Sequence, residues 1–275
     1  MIVGAGCSFT AGLMLNYQYE DHLGDIKETK STGCNLRQAW PYQLSKIMGD
    51  DFVNVGVNGA CNKLITEVVV DSVYKYKPDK VFVQWSEASR IHFVAGRENI
   101  YFTDPAWQTY LTGNMYDFGR YHPLALEYVK TLVKTDTKSE ILYRHIRESL
   151  IQMKILETFL KDRGIKFVFA QGTNLVNPSD WFETNFTDTV ELLSDIYYNE
   201  PYFRELDDSK WVNFPGIKAV RNEGETFQDY FYENGMRSTD TEACSDMERL
   251  DSHPGIEGHK WMAEQFYNKY KELYG

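Results

Sequence analysis

The 275-residue sequence predicts one α/β domain, a three-layer α/β/α sandwich in which helices cover both faces of a mostly parallel sheet. Three observations lead there. Short apolar runs of strand length alternate with amphipathic helical stretches. The loops leaving several of those strands are dense in glycine and small polar residues, and no internal repeat or low-complexity linker breaks the order. Ligands of such sheets bind in the crevice outside the strand carboxyl ends, so chemistry is to be sought in those loops.

The elements follow in chain order. Met1 to Val3 is a short apolar run closed by Gly4, a buried strand, and Ser8 then starts a short helix. Residues from about 14 to 38 are polar and charged and form an insertion. Trp40 to Met48 is helical, with Trp40, Leu44 and Ile47 on one face, and Phe52 to Val55 is a second strand. Leu64, Ile65, Val68, Val69 and Val73 mark the buried side of a helix that stops before Pro78. Lys80 to Trp85 is a third strand. A second insertion over about 91–138 carries short strands or turns. The strongest helical pattern runs from Ser139 to Arg163, with Leu142, Ile146, Leu150, Met153, Leu156 and Leu160 on one face. Gly164 stops it, and Lys166 to Ala170 is a fourth strand. The stretch 171–249 reads as an irregular, acidic and aromatic insertion. A last helix spans about Ile256 to Tyr274, its inner face carrying Ala263, Phe266, Tyr270 and Leu273.

Composition narrows the function classes. A net charge of −11 is repelled by phosphate backbones, which argues against nucleic-acid binding. No apolar run has the length to span a bilayer, and the N-terminus lacks the basic and apolar regions of a signal peptide, so neither membrane insertion nor secretion is expected. Cys7, Cys34, Cys61 and Cys244 are scattered, without CxxC pairs or metal-ligand spacing. They predict free thiols, no metal site and a cytoplasmic, reducing compartment, compatible with later release as part of a particle. Aromatics at 15% suit self-packing insertions or a substrate groove.

Three loops carry candidate chemistry. The first is Gly4-Ala-Gly-Cys-Ser-Phe-Thr-Ala-Gly12. As a dinucleotide fingerprint it fails at its third glycine, where Phe9 stands. As a nucleophile loop it places the Ser8 hydroxyl at a helix N-terminus, close to backbone N–H groups that can hold an oxyanion. A plain N-cap is the competing reading of Ser8. The second loop, Asn54 to Asn62, is a Gly/Asn turn able to present an N–H to a substrate oxygen, with Asn62 also suited to capping the next helix. The third is Asp251-Ser-His-Pro-Gly255, directly before the last helix. His253 there has the setting of a general base with a carboxylate partner. His22, His92, His122 and His145 have no comparable setting, and His259 on the last helix reads as structural support.

The order of these pieces resembles the SGNH hydrolase superfamily, the GDSL-like lipases and esterases. Gly6-Cys-Ser-Phe-Thr10 is similar to its Gly-Asp-Ser-x-Thr block, with Cys7 in place of Asp. The resemblance implies a flavodoxin-like sheet, Ser8 as nucleophile and oxyanion donor through its own N–H, Gly59 as a second oxyanion donor, and His253 and Asp251 as base and partner. Two departures stand out. The third block's Asn, an oxyanion donor in the family, aligns with Ala88 in Trp85-Ser-Glu-Ala-Ser-Arg90. Ser86, Ser89, Arg90, Asn58 or Asn62 can substitute for it; Arg90 can instead serve an anionic substrate group or pair with Glu87. The other departure is Asp-x-His in place of the commoner Asp-x-x-His. Trp-Ser followed by an Arg in this block also resembles SGNH-like proteins encoded by bacteriophages, which implies virion association as one setting.

These residues lead to a serine esterase or deacylase that needs no cofactor, acting on a small-molecule or glycan ester with a sugar O-acetyl as preferred target. The alternative is a catalytically degenerate binding or particle-associated module that keeps the fold. A nucleotide-dependent enzyme rests on Gly4-x-Gly6 alone.

Overall fold

The computed structural model describes residues 1–12, 38–57, 59–88, 90–95, 98–102, 138–173, 199–213, 226–235 and 253–275. Strand β1 (Ile2–Ala5) is followed by a single helical turn, α1 (Ser8–Ala11), then α2 (Trp40–Met48), β2 (Phe52–Asn54), α3 (Asn62–Tyr76) and β3 (Lys80–Trp85). Next come a hairpin of β4 (Ile91–Ala95) and β5 (Glu98–Phe102), the long helix α4 (Lys138–Asp162) and β6 (Lys166–Gln171). The chain ends with α5 (Pro201–Arg204), α6 (Phe227–Asn234) and α7 (Ile256–Tyr274).

Strands β2-β1-β3-β6 form a four-stranded parallel sheet in that order, the flavodoxin-like arrangement in which the first strand is central. Val3 lies beside Val53 and Val81, and Val83 beside Phe169. Both faces of β1, β3 and β6 are buried, which is why these strands read as continuous apolar runs rather than alternating ones. Helices α2 and α7 pack on each other and on the sheet, with the Trp40 and Phe266 rings 4.4 Å apart, and α3 packs on α4. The α/β fold class predicted from the sequence is the one observed.

Helix α4 shows how local sequence sets an element. Ile146, Leu150, Met153, Leu156 and Leu160 are all buried along one stripe. Its end is fixed by Gly164 at φ 66°, the left-handed conformation that glycine adopts without strain. Gly164 N–H donates to Lys161 O, and Ile165 N–H reaches back to Leu160 O, both at 3.0 Å. The hairpin β4–β5 falls where short strands were expected.

The stretch 171–249 departs from its irregular reading. Gln171 belongs to β6, and α5, a 3₁₀ turn at Asp208–Lys210 and α6 all lie within the stretch. These helices are too short to show a periodic pattern among so many aromatics. Their anchors are tertiary: Trp211 bridges to Phe169 beside β6, and the fully buried Glu157 of α4 accepts the Asp207 N–H at 2.9 Å together with two lysines. Two described cysteines, Cys7 and Cys61, are buried free thiols. Among the described residues no helix is long and apolar enough to cross a membrane.

Gly6 is required by space. A Cβ there would sit 2.7 Å from Gln84 O and collide with the Thr10 hydroxyl. Gly6→Ala is therefore expected to cost about 1–3 kcal/mol through overpacking. A urea-unfolding midpoint equal to that of the unsubstituted chain would refute this.

Candidate active site

The first loop leaves β1 and enters α1 with Cys7 as N-cap, so Ser8 is the first helical residue and not the cap. Cys7 makes no side-chain cap, and the N–H of Ser8, lying at the start of the turn, has no intrahelical acceptor. Helix α1 is only four residues long, which leaves little of the macrodipole the sequence suggested; any anion here must be held by individual N–H groups.

His253 lies 245 residues away, yet its Nε2 is 2.9 Å from Ser8 Oγ. With the imidazole proton on Nδ1, Nε2 accepts from the Ser8 hydroxyl, the arrangement a general base needs. Ser8 is 5% exposed and so sheltered from bulk water, while His253 is half-buried. Phe9, the residue that spoils a dinucleotide fingerprint, packs edge-on against the His253 ring with centroids 5.3 Å apart. Phe231 of α6 backs Phe9 at 6.2 Å. The insertion over 171–249 thus supports the histidine through a neighbour of the serine.

The second loop is bound to the first. Val57 N–H donates to Gly6 O at 3.0 Å, and the Asn54 amide donates to Thr10 O at 2.7 Å. Ala60 N–H closes a turn on Val57 O, with Gly59 at its third position and φ 69°. Gly56 presses so close that a Cβ would lie 2.5 Å from Ala11 N. The Gly59 turn is thereby held alongside the serine loop.

Three expected substitutes for the missing Asn prove to be occupied or enclosed. Asn62 does not cap α3, whose N-cap is Cys61. Its amide clamps the backbone of Ser86 instead, Oδ1 accepting Ser86 N–H at 2.8 Å and Nδ2 donating to Ser86 O at 3.0 Å. Arg90 pairs with Glu87 at 2.5 Å, both side chains close to buried, so its charge is neutralised locally. Ser86 is fully buried; its Oγ has no hydrogen-bond partner, while its carbonyl also accepts from Gln171 Nε2 at 3.1 Å. Ala88 is buried and supplies no donor. Asn58, Ser89 and Asp251 lie outside the described residues.

The buried polar chain beneath the serine has no local signature among its residues. Thr10 Oγ1 accepts from Trp40 Nε1 at 3.1 Å and donates to Gln84 Oε1 at 2.8 Å, and Gln84 Nε2 points at Cys7 Sγ. Trp40 N–H donates to His259 Nδ1 at 3.1 Å. Full burial, reinforced by electrostatic repulsion between the two imidazoles of His259 and His253 when protonated, pushes the His259 pKa down to about 3, so the ring is neutral. Contacts between residues 30 to 219 positions apart leave no local pattern to read.

No family model matches the chain, and no curated protein matches it. Several solved structures are similar to the chain. One is described as a lipolytic protein of the G-D-S-L family from Desulfitobacterium hafniense, 13% identical, with 98% of each chain covered and a TM-score of 0.44. Another is a psychrotrophic esterase from Pseudoalteromonas sp., 11% identical over 99% of this chain and 97% of that one, TM-score 0.40. A third is an acetylxylan esterase from Geobacillus stearothermophilus, 13% identical over 98% and 93%, TM-score 0.42. At these values the likeness carries no weight for the chemistry, which rests on the residues themselves.

Proposed function

We propose that this chain is a serine esterase of the SGNH type, and the observation that carries the reading is the 2.9 Å approach of His253 Nε2 to Ser8 Oγ. The Ser8 hydroxyl attacks an ester carbonyl while His253 takes its proton. The N–H groups of Ser8 and Gly59 receive the developing oxyanion. His253 then hands the proton to the departing alcohol. Water, deprotonated by the same imidazole, releases the acid from the acyl-serine. Asp251, two residues before His253, takes the role of holding the Nδ1–H tautomer.

Ala88 leaves the oxyanion site short of a donor that related enzymes are expected to have. One missing donor lowers turnover by about 100- to 1000-fold, so activated esters are the substrates of choice for detection. A sugar O-acetyl is the preferred natural target, since the burial of Ser8 favours a small acyl group. A non-catalytic module has no need for a buried serine in hydrogen-bond contact with a histidine.

A fluorophosphonate probe tests the reading directly, because it reacts only with an activated serine. The unsubstituted chain is expected to be labelled at Ser8, and both Ser8→Ala and His253→Ala to abolish labelling. Absence of labelling in the folded, unsubstituted chain would leave a degenerate binding module as the better account.

A further inference from the structure

We propose that Trp40 and His259 form a positioning bridge that holds His253 against Ser8; the proposal rests on the esterase reading of that pair. The two residues belong to elements far apart in the chain, the one-turn helix α1 and the loop entering α7. A productive hydrogen bond between them tolerates only a few tenths of an ångström of drift, so something must register α7 against α1.

Trp40 touches both. Its indole N–H donates to Thr10 Oγ1, two residues after Ser8 on the same turn. Its backbone N–H donates to Nδ1 of His259, six residues after His253 near the start of α7. That N–H is an orphan donor at the start of α2, where Ala39 offers no side-chain cap and Pro41 has no N–H of its own. Its ring lies on Phe266, further along α7. Thr10 extends the bridge to β3 by donating to Gln84 Oε1 at 2.8 Å.

Trp40, Thr10, Gln84 and His259 are all 0% exposed. Buried hydrogen bonds of this kind are directional and costly to leave unmade, so they set register more sharply than apolar contact does. A tryptophan serving only to fill volume would not require both of its donors to find acceptors on the two elements that carry the reacting pair. Trp40, Thr10 and His259 act through Ser8 and His253 and are positioning residues.

His259→Phe removes the acceptor and keeps an aromatic ring, whereas His259→Asn keeps an acceptor near the place of Nδ1. Thr10→Val, which keeps shape and loses the hydroxyl, is a second probe should His259→Phe fail to fold. Two readouts are taken: kcat and KM for 4-nitrophenyl acetate per titrated active site, and long-range ¹H–¹⁵N correlation spectra of the His253 imidazole. His259→Phe is expected to lower kcat per site by about 100-fold with KM little changed, and to erase the difference in the His253 spectrum that Ser8→Ala produces in the parent chain. His259→Asn should restore most of both. A folded His259→Phe chain with the parent's per-site kcat and Ser8-sensitive His253 spectrum would overturn the bridge. If the parent chain neither hydrolyses esters nor takes the probe, the esterase reading fails instead. The spectrum then decides the bridge alone: loss of its Ser8 sensitivity in His259→Phe supports it, and retention overturns it.

Discussion

Ser8→Ala is expected to lower kcat for an activated acyl ester by about 10⁴- to 10⁶-fold, His253→Ala by nearly as much, and the double variant no further. The non-additivity is the informative part. Ser8 Oγ and His253 Nε2 share one hydrogen bond at 2.9 Å, so either substitution removes the same transition-state event, the transfer of the serine proton as the carbonyl is attacked. Whatever rate remains comes from binding and from the backbone N–H groups, which neither change removes. Two independent roles would give losses that multiply. Steady-state kinetics of the two single variants and the double, on protein checked for folding, decide between these outcomes. Full activity in Ser8→Ala would end the hydrolase reading.

The second large effect is on stability against pH, and it comes from His259. In an unfolded chain this imidazole titrates near 6.5, whereas in the folded chain burial, with repulsion from a protonated His253 adding to it, holds the pKa at about 3. Between those values the unfolded state binds a proton that the folded state refuses. Stability is therefore complete above about pH 6.5 and falls as the pH drops, until it levels off near 3. At about 1.36 kcal/mol per pH unit the loss reaches roughly 2 kcal/mol by pH 5. Asp207, Asp79 and Glu148 have lowered pKa values and push in the same direction, but their windows open only below their ordinary values of 3.8, 3.8 and 4.5. Among the described residues, the region from pH 5 to 6.5 thus belongs mainly to the histidine. Urea midpoints measured from pH 5 to 8 should show this slope, and His259→Asn should flatten it even where it changes the absolute stability. An unchanged slope in that variant would mean that another group is responsible.

Trp40–Met48 and Lys80–Trp85 are legible to the residue and Ile256–Tyr274 nearly so, because each carries a local signal that needs no partner. These are an apolar stripe at helical spacing, a continuous apolar run, and a proline or glycine at a boundary. Ser8 and His253 are legible as candidates for a different reason, a serine entering a helix from a Gly-rich turn and a histidine two residues after a carboxylate, whereas Gly59 is singled out only by the family resemblance. Helix α6 was not legible, since eight residues hold barely two turns and its pattern of Phe227, Tyr230 and Phe231 looks like any aromatic loop. Asn62 suits a helix cap or an oxyanion donor by its position in the chain, while its side chain is in fact spent on Ser86.

By itself the sequence determined the order of the sheet strands and the longer helices and the burial of β1, β3 and β6, since propensity, periodicity and turn chemistry act over a few residues. Only the tertiary structure decided that Phe9 packs on His253, that Arg90 is neutralised by Glu87, and that Trp40 ties Thr10 to His259. Most of these contacts join residues far apart in the chain, and even the Arg90–Glu87 pair was one of two open readings. Packing selects such partners by shape and by the cost of leaving a buried donor unpaired, and neither quantity is written in a local stretch of sequence.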